Sequence, residues 1–190
     1  MKTYPLTESQ LGMFLEWNAD RSSKQYAMGY EYRLPATVDI ARLERAIRAY
    51  VDAHPVFRTR LVETDDGVRQ YADTAREIPF ARLAMSDAEA DARAAALPRP
   101  YDLFNDPLIR FEFVTTPSGT RLFIALFHLI VDGTTTSEAA RGVSALYNGE
   151  QPGEESSLVF DFAEQERAGF ETEEYRAAAS AARSRTNVLR

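Results

Sequence analysis

The sequence predicts an α/β chain, an α+β two-layer sandwich in which helices pack on a mixed β-sheet. Three observations carry this. Residues 40–51 place Ile40, Leu43, Ala46, Ile47, Tyr50 and Val51 on one helical stripe, while residues 26–34 and 108–127 read as strands. Hairpin signals stand beside helical crossovers, which indicates strands and helices layered together. No internal repeat is visible.

The elements follow in order. Thr7 opens a helix, because Thr-Glu-Ser-Gln resembles a capping box and Leu11, Phe14 and Leu15 follow at helical spacing; it ends near Trp17. From Tyr26 to Leu34 the residues Tyr26, Met28, Tyr30, Tyr32 and Leu34 line one face of a strand that Pro35 closes. The helix after Asp39 runs to His54-Pro55. Phe57–Glu63 and Val68–Ala72 are paired strands around Asp65-Asp66-Gly67, a strong hairpin signal. Ile78–Leu83 adds a strand and Ser86–Leu97 an alanine-rich helix.

After Pro98 and Pro100, a strand from Leu108 to Thr115 turns at Pro117-Ser118-Gly119 into a second strand ending at Phe127. That second strand is apolar on both faces and is therefore central. A helix runs from Thr134 to Tyr147 and stops at Asn148-Gly149. Residues 151–157 read as a loop, and from Asp161 to about Ala182 the Glu, Ala and Arg content predicts helix.

At 190 residues, 45% of them hydrophobic, the chain suits one domain or large subdomain with a sizeable core. It carries 29 acidic and 22 basic side chains, a net charge of −7, and no basic cluster of the kind a phosphate backbone attracts. Nucleic acid is not the expected partner. The absence of cysteine excludes disulfides, thiolate metal sites and a cysteine nucleophile. The start carries no long apolar run after Lys2, and the longest apolar stretch, Leu122 to Val131, is broken by His128 and far shorter than the roughly 20 residues a spanning helix needs. No membrane association is expected, and the expected location is the cytoplasm.

Two histidines, His54 and His128, are the only side chains with an unperturbed pKa near neutrality, which narrows the search for a base and leaves no histidine cluster for a metal. His54, at a helix end before a proline, fits a capping or packing role. His128 follows the central strand and precedes Leu129-Ile130-Val131-Asp132-Gly133, a short turn into a helix. Position alone fits either a buried histidine bonded to backbone or a catalytic one.

Five segments resemble, in order, the motifs of condensation domains of nonribosomal peptide synthetases. Phe127 to Gly133, FHLIVDG, is similar to the HHxxxDG signature. LTESQLGMFL resembles the opening motif, Ala53 to Leu61 resembles RHExLRTxF and keeps His54, Arg58 and Thr59, and Arg99 to Arg110 resembles PFDLxxxPLxR. From Val159, VFDFAEQ is similar to YxDYAxW. Phe127 stands where the signature has its first histidine, Thr134 and Thr135 follow Asp-Gly in place of Trp or Ser, and Pro55 replaces a glutamate.

The resemblance implies a chloramphenicol acetyltransferase-like fold of two lobes, with residues 1–190 as the amino-terminal lobe and the carboxyl-terminal lobe absent. It implies an acyltransferase that forms an amide between carrier-bound acyl and aminoacyl thioesters. His128 would act as base or orienting group and the Gly133 N–H at the oxyanion. Asp132 would point away from the substrate and pair with Arg58, since neither has another obvious partner, and Phe127 and Thr134 would meet the substrate. No cofactor is expected on the chain itself; the phosphopantetheine arms belong to carrier proteins. The other implied partners are the absent lobe and a neighbouring adenylation domain, with self-association of the fragment as a consequence of the bare interface. Two alternatives stay open: an ester-forming relative that uses HxxxDG with a hydroxyl acceptor, and a non-catalytic module that docks carrier proteins.

Overall fold

The computed structural model describes residues 2–131, 133–151, 159–170 and 172. The elements are β1 (Tyr4–Pro5), α1 (Glu8–Ala19), β2 (Ala27–Leu34), α2 (Ile40–Ala53), β3 (Thr59–Thr64), β4 (Gly67–Ala72), β5 (Phe80–Ala84) and α3 (Asp87–Ala95), followed by β6 (Ile109–Thr116), β7 (Gly119–Phe127), α4 (Gly133–Asn148) and α5 (Val159–Phe170). Single 3₁₀ turns occupy Pro55–Arg58 and His128–Ile130.

The helix starts follow their caps. Thr7 accepts from the Gln10 backbone N–H at 3.1 Å while the Gln10 side-chain oxygen accepts from Thr7 N at 3.0 Å, a reciprocal capping box. Asp39 caps α2 through Arg42 N, and Ser86 caps α3 with Glu89 completing a second box. At the far end of α2, His54 takes an extended backbone and Pro55 cannot continue the helix.

The main sheet has the order β2-β7-β6-β5, with β5 parallel to β6 and the other pairs antiparallel, so it is mixed as expected. β7 is interior, and its two faces bury different things. Leu122, Leu126, Phe111 and Phe113 join the cluster of Ile47, Tyr50 and Val51 from α2, to which Ala139 and Val143 of α4 add. Phe123, Ala125 and Val114 point the other way and pack with Ala90 and Leu97. The expected helix layer is thus α2 with α4, and α3 adds a smaller cover opposite. Leu97 approaches β2 so closely that a Cβ on Gly29 would lie 2.6 Å from Leu97 Cβ, which is why that strand position is glycine.

The β3–β4 hairpin turns at Gly67, whose φ of +99° suits glycine. It does not join the main sheet. It forms a separate sheet, β1-β4-β3, completed by the two-residue β1, too short for any periodicity to reveal. Phe160 of α5 stacks on Tyr4 of β1 with centroids 5.0 Å apart, fixing α5 against this second sheet. α5 begins two residues before Asp161; the expected loop from 152 and the expected helix from 173 lie outside the described residues. No helix among the described residues is long and apolar enough to cross a membrane.

Candidate active site

β7 delivers His128 to the edge of the core. Its ladder with β2 runs to Ala27–Phe127, and His128 N then donates to Tyr26 O at 2.9 Å, carrying the register one residue past the strand. The chain next tightens into the 3₁₀ turn, closed by Val131 N to His128 O at 3.3 Å. Such a turn is forced by what it must bury, since Leu129, Ile130 and Val131 all lie in the core. The His128 ring is half-buried, and its Nδ1 is buried with no hydrogen-bond partner among the described residues.

Gly133 is the first residue of α4, and Thr134 stands in its first turn. The first N–H groups of a helix have no partner within it and carry the positive end of its dipole, so this terminus is suited to developing negative charge. His128 and that helix start are five residues apart in the chain. Asp132 and the side chain of Thr134 lie outside the described parts.

Arg58 stands at the end of the first 3₁₀ turn, where it binds Asp52 at 2.6 Å, Val51 O at 3.1 Å and Arg76 O at 3.3 Å. The premise that Arg58 has no partner besides Asp132 is therefore corrected: it closes the carboxyl end of α2. Phe127, expected at the substrate, packs inward. It is 2% exposed and meets Tyr101 and Tyr26 edge-on, because alternation along β7 sends it to the face opposite Leu126. His54 stacks on Tyr50 at 3.9 Å with Nδ1 2.6 Å from Tyr50 O, the capping and packing role read from its position.

Two features were not read from the sequence. One is an apolar cavity of about 240 Å³ between α2, α4 and the sheet, lined among others by Tyr30, Ile47, Phe111, Ile124 and Val143 and reaching Val131, three residues after His128. The other is a pair of buried, mutually hydrogen-bonded glutamines, Gln10 and Gln70, of which Gln10 donates to the carbonyl of Leu129. The capping motif revealed Gln10 as a helix-start residue, and nothing local revealed its distant contact.

This mixed sheet, covered by helices and ending its interior strand at a histidine, has the fold of condensation domains. The chain resembles a variant of the starter condensation domain of rhizomide synthetase with a TM-score of 0.82 at 22% identity, over 96% of this chain and 47% of that one. It resembles the condensation domain of Monacolin K polyketide synthase MokA at 0.81 and 21%, over 97% and 43%. The family model for the condensation domain matches residues 1–180, and the chain belongs to that family. Among curated relatives, surfactin synthase subunit 2 of Bacillus subtilis is 28% identical over 161 residues, 84% of this chain and 4% of that protein. The chain thus spans less than half of the solved domains and a small part of that synthase.

Proposed function

We propose that this chain is the amino-terminal lobe of a condensation domain that joins an acyl thioester to the amine of an aminoacyl thioester, each held on the phosphopantetheine arm of a carrier protein. The observation that carries the reading is that His128, at the end of the interior strand, and the start of α4 stand only five residues apart in the chain. A thioester is already activated, so catalysis consists of placing the amine, removing its proton and stabilising the oxyanion. The amine nitrogen attacks the carbonyl carbon, His128 takes or orients the departing proton, and the N–H of Gly133 supports the oxyanion. Collapse breaks the C–S bond, releases the pantetheine thiol with that proton and leaves the amide. Asp132 shapes the turn, and Thr134 stands beside the substrate. The cavity beyond Val131, slightly below the roughly 300 Å³ at which ordinary small-ligand sites begin, is suited to a short apolar acyl group.

In this reading the second lobe encloses the pantetheine arms, an adenylation domain loads the acceptor carrier, and the lobe alone is folded, inactive and prone to self-association. The test is product formation from loaded carrier proteins by this lobe joined to a carboxyl-terminal lobe, with amine and hydroxyl acceptors compared. Amide from the amine supports the reading; ester from the hydroxyl alone makes it the ester-forming relative; neither leaves a docking module.

A further inference from the structure

We infer that Gln10, locked by Gln70, is a positioning residue for His128, acting through the carbonyl of Leu129. The inference rests on the reading of His128 as the base or orienting group. Gln10 is 4% exposed and Gln70 is fully buried. Gln10 Nε2 donates to Leu129 O at 3.1 Å and to Gln70 Oε1 at 3.1 Å. In return Gln70 Nε2 donates to Gln10 Oε1 at 2.6 Å and to Pro5 O at 2.9 Å, and Gln10 Oε1 also accepts from Thr7 N. All four side-chain N–H groups are thereby used, so neither amide can flip without setting oxygen against oxygen.

The geometry acts on the histidine turn. Leu129 is the middle residue of the 3₁₀ turn that begins at His128, and that turn's own bond, Val131 N to His128 O, is long at 3.3 Å. A 3₁₀ turn bonds itself poorly, so contacts from outside decide its plane. Among the described residues two hydrogen bonds do this: Tyr26 O fixes the His128 N–H from the strand side, and Gln10 fixes the Leu129 carbonyl from α1. An apolar pair of the same size would fill this space without the desolvation of two amides. What it would not do is fix the rotation of the Leu129 peptide, and a misplacement of about 1 Å at a reacting group costs on the order of a hundredfold in rate.

The experiment uses the fact that the chain has only two histidines. Gln10→Glu keeps the side-chain length but leaves at most one O–H, in place of two N–H donors, for Leu129 O and Gln70 Oε1. Gln10→Met with Gln70→Met removes both amides and leaves neither orphaned. The ring resonances of His128 and His54 are followed by NMR against pH, with circular dichroism for the fold. The expected result in a folded variant of this chain is a changed or doubled His128 signal and titration beside an unchanged His54, and, when the chain is joined to a carboxyl-terminal lobe, at least a tenfold fall in kcat for condensation at constant KM. Unmoved His128 signals, both histidines moving together, or unfolding of both variants would overturn the positioning role and leave a purely structural one. If His128→Ala condenses as fast as the parent, the catalytic reading fails while the NMR result still decides whether Gln10 holds the turn.

Discussion

Phe127 and Tyr101 meet edge to face with ring centroids 5.6 Å apart, both 2% exposed, so the position that the family signature gives to a first histidine is here a packing position. Restoring that histidine should not help. Phe127→His buries imidazole nitrogens among aromatic rings and is expected to lower stability by about 1–3 kcal/mol without raising condensation activity. Chemical denaturation and the amide assay check it. A gain in rate would show that position 127 reaches the substrate.

Arg58 offers a second comparison. Its partner Asp52 is 66% exposed in its side chain, so that ion pair alone is weak and Asp52→Asn should cost less than about 1 kcal/mol. Arg58→Ala also loses the bonds to Val51 O and Arg76 O and should cost about 1–3 kcal/mol. A loss of about 3–5 kcal/mol, matched by Asp132→Asn, would instead identify Asp132 as the buried partner.

Acid should loosen α3 before the core. Asp87, in the first turn of α3, accepts from Ser118 and pairs with Arg121 at 3.2 Å, and these hydrogen bonds, that of Ser118 foremost, hold its carboxyl below the usual range. A carboxyl with a lowered folded pKa stabilises the fold above its unfolded value, about 3.9, and that stabilisation is lost as pH falls through the folded value. Hydrogen exchange in α3 should therefore rise relative to β7 below about pH 4. Asp87→Asn should remove that step; an unaltered acid profile in the variant would contradict the assignment.

The cavity under α4 gives a specificity test. Val143 lines it, and Val143→Phe should fill part of the space. The expected outcome is a shift toward smaller donor acyl groups in competition assays, with stability changed by less than about 1.5 kcal/mol because the added ring enters existing space. An unchanged donor preference would place the acyl group elsewhere.

Most of the scaffold was legible because its signals are local. The capping residues Thr7, Asp39 and Ser86 and the two-faced apolar run of β7 each specify their element within a few residues. What escaped depends on distant partners. β1 exists only because β4 is beside it, the hairpin's separation from the main sheet is a matter of packing, and Gln10 reaches a carbonyl 119 positions away. The neighbours of Arg58 and Phe127 were hidden for the same reason. Their residue types fit the motif, while their neighbours Asp52, Tyr26 and Tyr101 come from folding.

The role of His128 is measured most directly by amide formation from loaded carrier proteins, with this chain joined to a carboxyl-terminal lobe, in the parent and in His128→Ala. The parent should make the amide and the variant should fall by at least about a hundredfold, the scale of a positioned acid–base group, with its fold intact. A folded His128→Ala protein that keeps the parent's rate would contradict that role.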